Sequence, residues 1–196
     1  MRRATTRLVV FVLSRRTRPF SRYLIQRVGS SFQVPSACFF LRCLVLVGPA
    51  GLGKTHLSVA IGLKMLQRGY AVRFITVQAL LNQVLARRDV DGRQRVLKPL
   101  LLADLLILDE LGYLSHPVEV GPLLYEVIAG RYEHKATVIT SNKSLSEWSR
   151  VLHDSALAAA LIDRLMHHGE VFYLKGESYR LKDKRGLESP REVVEA

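Results

Sequence analysis

The chain has 196 residues, of which 48% are hydrophobic and 23% charged, so it can bury a sizeable core and is not disordered throughout. It contains no apolar run approaching about 18 residues, which excludes a membrane-spanning helix, and its two cysteines match neither a disulfide framework nor a zinc site, which favours a reducing, cytoplasmic setting. The net charge is +12, and the excess of basic residues lies in the first half of the chain: residues 1–88 hold 15 basic and no acidic residues. This distribution favours a polyanionic partner such as nucleic acid, an acidic membrane surface or a phosphorylated ligand.

Residues 1–40 differ in composition from the rest of the chain. They contain eight arginines but no lysine and no acidic residue. Three interpretations stay open: an organellar transit peptide, a basic arm that lies on nucleic acid, or a truncated or frame-shifted gene start. We therefore treat 1–40 as an atypical Arg-rich segment, 41–185 as the core domain and 186–196 as a polar tail.

From residue 41 onward, apolar strands alternate with helices. The predicted strands are 41–47, 71–76, 105–109, 137–141 and 171–174. The predicted helices are 54–68, 77–88, 93–102, 117–128, 144–152 and 155–167. Continuously apolar strands separated by helices are typical of a parallel sheet that is covered on both faces. The sequence therefore predicts an α/β fold with a five-stranded parallel sheet between helices.

The first of these strands leads into a glycine-rich loop. Residues 48–55 read GPAGLGKT and match the phosphate-loop pattern GxxxxGK[ST] in full. The glycines let backbone N–H groups surround a phosphate, and the start of the following helix adds partial positive charge. Lys54 is expected to reach the β- and γ-phosphates of ATP, and Thr55 to offer its hydroxyl to Mg²⁺. The nucleotide-binding candidates are Gly48, Pro49, Ala50, Gly51, Leu52, Gly53, Lys54, Thr55 and His56.

Two adjacent carboxylates, Asp109 and Glu110, end the third predicted strand. At the carboxyl end of a parallel strand beside the phosphate loop, Asp109 would hold Mg²⁺ directly or through water. Glu110 would point elsewhere and could orient and deprotonate the attacking water. The alternative is a pair of solvated acids at a strand end.

Three later features leave functional and structural interpretations open. Asn142, after the strand 137–141, could bond the attacking water or the γ-phosphate, or could only form a turn. Arg164 could stabilise transition-state charge in a neighbouring subunit, or could be a helix-surface arginine paired with an acid. His167 and His168 end a predicted helix, where sequence neighbours face apart, so we expect a role at the helix C-terminus rather than a metal pair.

The run from Leu44 to about Lys182 resembles the IstB-type ATPases, which are transposition helper proteins of bacterial insertion sequences. These are relatives of the DnaC-type helicase loaders within the AAA+ class. The resemblance lies in the stretches LVGPAGLGKTHLSVAIG, DLLILDELGYL, TVITSN, LAAALIDRLMHH and GESYRLK. It implies a P-loop NTPase fold of AAA+ type. It also implies that Asn142 is a sensor residue, that Arg164 is an arginine finger acting on the next subunit's ATP, and that Arg180 is a second sensor arginine.

The resemblance further implies what the protein does. ATP hydrolysis with Mg²⁺ would be stimulated by DNA and would require a homo-oligomer. The oligomer would assemble on double-stranded DNA with little sequence preference and deliver target DNA to a transposase. Two alternatives stay open: a DnaC-like replicative helicase loader, and a decayed nucleotide-dependent DNA-binding module without turnover. Family members carry a helical segment before the ATPase core, whereas residues 1–40 show no helical period, which favours a truncated or frame-shifted start.

Overall fold

A computed structural model describes the backbone of residues 9–13 and 22–24, and residues 43–87, 89–113 and 117–179 with their side chains. The strands are β1 (Val9–Leu13), β2 (Arg22–Leu24), β3 (Cys43–Val47), β4 (Val72–Thr76), β5 (Leu105–Leu111), β6 (Ala136–Ser141) and β7 (Gly169–Lys175). The helices are α1 (Lys54–Leu66), α2 (Val77–Leu85), α3 (Val90–Leu102), α4 (Val120–Arg131), α5 (Trp148–Val151) and α6 (Ser155–His167). No helix in these ranges is long and apolar enough to cross a membrane.

The strands form one sheet in the order β2-β1-β7-β3-β6-β5-β4. The five strands from β7 to β4 are parallel, which confirms the predicted parallel sheet. β1 pairs antiparallel with β7 and with β2, so two short strands from residues 1–40 extend the sheet, which the sequence analysis did not predict. β6 lies between β3 and β5, and therefore separates the strand before the phosphate loop from the strand with the two acids.

Side chains of the central strands alternate between two cores on opposite faces of the sheet. In β3, Val45 and Val47 belong to the larger core, whereas Leu44 and Leu46 belong to the smaller one. Helices α2 to α6 cover the larger core, and α1 covers the smaller one through residues such as Ile61. All five residues of β3 are buried, and burial on both faces favours apolar side chains throughout, which explains the continuous run in the sequence.

Helix boundaries agree with the sequence where capping signals are clear. α6 spans the predicted residues 155–167, and the Asp154 side chain caps it by accepting from the N–H of Leu157 at 2.9 Å. The helix predicted to begin at Pro117 begins three residues later. The N–H of Val120 donates to the Pro117 carbonyl at 3.1 Å, so a turn precedes the helix.

A buried arginine, Arg131, joins α4, the end of α3 and the start of β6. Its side chain is 1% exposed, and burial lowers its pKa to about 10. Nε donates to the Thr137 hydroxyl at 3.0 Å, and Nη1 donates to the Ala103 carbonyl at 2.9 Å. Further bonds reach the carbonyls of Leu100, Leu101 and Ala136. The guanidinium thus satisfies backbone acceptors that the end of a helix leaves unpaired.

Candidate functional site

The phosphate loop lies at the carboxyl end of β3, and its shape depends on glycine. Gly51 and Gly53 have φ values of +81° and +83°, which side chains rarely tolerate. A Cβ on Gly51 would also lie 2.0 Å from Ser178 Oγ, because the segment after β7 packs on the loop. The N–H of Tyr179 donates to the Gly51 carbonyl at 3.0 Å. The loop is therefore held against residues that follow the last strand.

The loop ends where α1 begins, and the first turn of α1 contains no acidic residue. The partial positive charge of the helix N-terminus is therefore not offset by an acidic side chain of the helix's own first turn. Lys54 Nζ donates to the carbonyls of Gly48 at 2.6 Å and Pro49 at 2.8 Å, so the lysine lies along the loop. His56 is exposed on the same turn. Backbone N–H groups, a helix N-terminus and an ammonium group suit a polyphosphate.

Asp109 meets Thr55 although β5 is not the neighbour of β3. The Thr55 hydroxyl donates to the Asp109 carboxylate, with distances of 3.1 Å to Oδ1 and 3.0 Å to Oδ2. As expected, Asp109 lies at the carboxyl end of a parallel strand beside the phosphate loop, although β6 separates its strand from β3. The carboxylate nevertheless reaches the start of α1. A hydroxyl and a carboxylate are oxygen ligands of the kind that Mg²⁺ prefers, so this pair fits that cation.

Thr140, on the intervening strand β6, connects the two acidic residues. Its hydroxyl donates to Asp109 Oδ1 and accepts from the backbone N–H of Glu110 at 2.9 Å. Thr140 was not singled out from the sequence. It is 1% exposed, and a polar residue near the end of a buried strand, directly after Val138 and Ile139, was the signal that could have revealed it.

Glu110 lies at an irregularity of β5. The register between β5 and β6 shifts between Leu108 and Leu111, and Glu110 has a φ of +65°. A bulge of this kind redirects side chains. As a result Asp109 is 2% exposed whereas Glu110 is exposed to solvent. The two acids therefore face different surroundings, as two separate chemical roles require.

Asn142 follows β6 and lies close to the loop. The carbonyl of the preceding residue, Ser141, accepts from the N–H of Gly48 at 3.1 Å. In the described part of the chain, Asn142 Oδ1 is buried without a hydrogen-bond partner. Buried polar atoms without a protein partner are uncommon, and this oxygen can accept a hydrogen bond from a water or ligand that enters the site.

Arg164 lies far from its own phosphate loop. It lines a small cavity with Cys43 and Thr137, at the beginnings of β3 and β6, whereas the loop follows the end of β3. Its guanidinium carbon lies 4.7 Å from the centroid of the Tyr125 ring, and Nη1 donates to the Ala160 carbonyl at 3.3 Å. The structure thus places Arg164 near the amino ends of the parallel strands, whereas Lys54, Thr55 and Asp109 lie at their carboxyl ends. The other predicted arginine, Arg180, lies outside the described residues.

The sheet order, the phosphate loop and the acidic strand together define a P-loop ATPase fold of AAA+ type. Solved structures share it. DnaI superimposes with a TM-score of 0.61 at 21% identity, covering 69% of this chain and 74% of that one. The DnaC helicase loader superimposes with a TM-score of 0.55 at 25% identity, and the match covers 67% of this chain and 77% of that one. DnaA from Aquifex aeolicus, solved with AMPPCP, superimposes with a TM-score of 0.59 at 19% identity, and the match covers 75% of this chain and 45% of that one.

Within this class, the chain belongs to the family of IstB-like ATP-binding proteins, whose family model matches residues 36–186. A protein of Geobacillus stearothermophilus, named as an ATP-binding protein of insertion sequence IS5376, is 47% identical to this chain over 143 residues. The match covers 72% of this chain and 57% of that protein. The IS21 protein of Pseudomonas aeruginosa is 40% identical over 142 residues, covering 72% and 54%. The chain thus spans little more than half the length of these curated relatives. The resemblance inferred from sequence is confirmed.

Proposed function

We propose that the chain hydrolyses ATP as a helper of DNA transposition, assembling on double-stranded DNA and delivering target DNA to a transposase. The observation that carries the nucleotide part is the contact between Thr55 and Asp109 at the start of α1. The insertion-sequence names of its relatives support the transposition part. The proposed ATPase core spans residues 41–185.

In the nucleotide site, loop N–H groups and Lys54 bind the phosphates of ATP, while Thr55 and Asp109 hold Mg²⁺. Bound Mg²⁺ neutralises charge that develops on the phosphates. Lys54 exchanges its contacts with the loop carbonyls for phosphate oxygens, which are stronger acceptors for an ammonium group. Arg180, which follows the segment that packs on the loop, is proposed as a further nucleotide contact.

Glu110 acts as the general base in this proposal. It is exposed, next to the buried Asp109, and can accept a proton from a water that approaches the γ-phosphate. Asn142 supplies a carboxamide oxygen that can accept a hydrogen bond from the same water. Glu110 lies near the end of β5 and Asn142 follows the neighbouring strand β6, so we propose that they act on one water at the same end of the sheet.

Arg164 completes the site of a neighbouring copy in a homo-oligomer. Its position at the opposite end of the sheet is unsuited to its own ATP and suits contact with the next subunit. A cation aimed at the γ-phosphate stabilises transition-state charge. Turnover should then depend on assembly.

DNA binding is proposed through the phosphate backbone. The net charge of +12 supports a sequence-independent electrostatic contact, which salt weakens. A DnaC-like helicase loader is the second candidate, because DnaI and the DnaC helicase loader share the fold. A transposase gene next to the coding sequence would favour the first candidate, and a replicative helicase partner would favour the second.

The experiment that tests the main proposal measures ATPase rate against protein concentration, with and without double-stranded DNA, at two salt concentrations. A rate that rises cooperatively with protein and DNA, and falls with salt, is the expected result. ATP binding without DNA-stimulated turnover would contradict it and would favour a nucleotide-dependent binding module.

A further inference from the structure

A cluster of side chains that can bind a metal ion lies near the amino ends of the parallel strands, at the end of the sheet opposite the phosphate loop. It consists of Glu133, after α4, and of His167 and His168, at the end of α6. One ring nitrogen of each histidine and a Glu133 carboxylate oxygen lie within 4.8 Å of one another. His168 Nε2 lies 3.1 Å from Glu133 Oε1, and His167 Nδ1 lies 3.9 Å from the same oxygen.

The two histidines converge because the helix ends between them. His167 is the last residue of α6, whereas His168 has φ −127° and ψ 17° and has left the helical conformation. Their ring centroids are therefore only 4.0 Å apart. The expectation that neighbours in sequence would face apart is wrong here, since it holds only while both residues are helical.

Glu133 is directed toward the pair by an unusual backbone. Its φ of +62° belongs to the left-handed region, which residues other than glycine rarely adopt. The Tyr132 hydroxyl forms a hydrogen bond with His167 Nδ1, and the Tyr132 ring stacks near that imidazole, which fixes its orientation. Because Nδ1 is also the His167 nitrogen nearest Glu133, a cation bound through it would displace the Tyr132 hydroxyl, while the stacked Tyr132 ring would still orient the imidazole.

The geometry points to a binding site for a divalent transition cation of the zinc class, held by Glu133, His167 and His168. Two imidazoles and one carboxylate match the ligand preference of Zn²⁺ better than that of Mg²⁺ or Ca²⁺. In a tetrahedral zinc site with bonds of about 2 Å, ligand atoms lie about 3.3 Å apart, so rotations of exposed side chains suffice to close the cluster. Water would occupy the remaining position.

Such a cation would tie the loop after α4 to the end of α6. Arg164 lies one helical turn before His168, and both line the same small cavity. The site would hold the part of α6 that carries this arginine. The inference is independent of the nucleotide site, because the cluster lies at the opposite end of the sheet and uses none of its residues.

The test is a calorimetric titration of the untagged, chelator-treated full chain with Zn²⁺ in the absence of nucleotide. Co²⁺ serves as a second probe, since tetrahedral coordination gives visible absorption bands. We expect one saturable equivalent in wild type. His168→Ala and Glu133→Gln should each weaken Zn²⁺ binding by about tenfold or more. Glu133→Gln preserves the shape of the side chain and so keeps the test valid if His168→Ala fails to fold.

Two control variants distinguish this site from a neighbouring histidine and from the nucleotide site. His134→Ala removes an exposed histidine next to the cluster and should leave the affinity unchanged. Asp109→Asn removes the carboxylate of the nucleotide site and should also leave it unchanged. Absence of saturable binding, or wild-type affinity in both cluster variants, would overturn the inference and leave an ordinary pair of surface contacts between glutamate and histidine.

Discussion

The hydroxyl of Thr55 lies 3.0 Å from Asp109 Oδ2, although 54 positions separate the two residues. Thr55 is the second residue of α1, and Asp109 belongs to β5, two strands away from the strand before the phosphate loop. The contact joins the phosphate-binding element to the acidic one in a single oxygen-lined site. The proposed function gives each of its residues a distinct task, and substitutions can test these tasks separately.

The contact predicts that Asp109→Asn uncouples nucleotide binding from Mg²⁺. The amide retains the size of the carboxylate and its ability to accept from Thr55 and Thr140, but it lacks the charge that a hard cation needs. The affinity of the variant for ATP in EDTA should stay close to that of wild type, whereas the increase in ATP affinity that Mg²⁺ produces should largely vanish. Turnover should fall on the order of 10²-fold or more. Fluorescent-ATP titrations with and without Mg²⁺ measure the effect. Asp91→Asn, at an exposed position of α3, is the matched control. If Mg²⁺ raised the ATP affinity of Asp109→Asn as much as that of wild type, the assignment of Asp109 to the Mg²⁺ site would be contradicted.

Lys54→Ala should remove most nucleotide binding. Each hydrogen bond to a charged group contributes about 1.5–3 kcal/mol, so the loss of several phosphate contacts should weaken ATP binding by about 10²-fold or more. Calorimetry on the purified variants measures the effect. Lys64→Ala removes an exposed lysine from the same helix, and we expect it to bind ATP as wild type does. Equal affinity in Lys54→Ala would remove the lysine from the phosphate site.

The sequence predicted the local parts of this architecture and missed the non-local ones. The loop and the apolar strands were predicted because glycine spacing and continuous burial leave direct traces in the sequence. The position of β6 between β3 and β5 is set by packing across the sheet, and no local pattern encodes it. The bulge that separates the environments of Asp109 and Glu110 has the same origin. The convergence of His167 and His168 was missed for another reason, because it depends on the exact residue at which α6 ends.

Glu110→Gln should bind ATP with wild-type affinity but hydrolyse it slowly. The glutamine can occupy the same backbone conformation but cannot accept a proton from water. Loss of a general base typically costs about 10²–10⁴-fold in rate. Single-turnover assays with excess enzyme separate this chemical step from binding and release. Glu119→Gln, exposed before α4, serves as the control. Wild-type turnover in Glu110→Gln would require another base.

Arg131→Met should destabilise the fold without touching the nucleotide site. The substitution keeps an apolar chain of similar length but leaves the carbonyl of Ala103 and the hydroxyl of Thr137 without their buried donor. Each buried acceptor that loses its donor costs about 1–3 kcal/mol. Urea unfolding followed by circular dichroism gives the free energy of unfolding. Arg150→Met, at an exposed position of α5, should change it by less than about 0.5 kcal/mol. A similarly small change in Arg131→Met would mean that water replaces the guanidinium.

Arg164→Ala and Lys54→Ala together test whether neighbouring subunits share one site. Arg164→Ala should bind ATP normally and yet fail to hydrolyse it, since its own loop is intact and its neighbour lacks the arginine. Lys54→Ala retains Arg164 but, at ATP concentrations that saturate Arg164→Ala, should leave its own site largely empty. If Arg164 acts in trans, mixing the two inactive variants on double-stranded DNA should restore part of the turnover, because Lys54→Ala subunits then complete the ATP-filled sites of Arg164→Ala subunits. The activity should peak at intermediate mixing ratios and vanish on dilution. A mixture as inactive as either variant alone, under conditions where light scattering shows that they co-assemble, would place the arginine outside the neighbouring site.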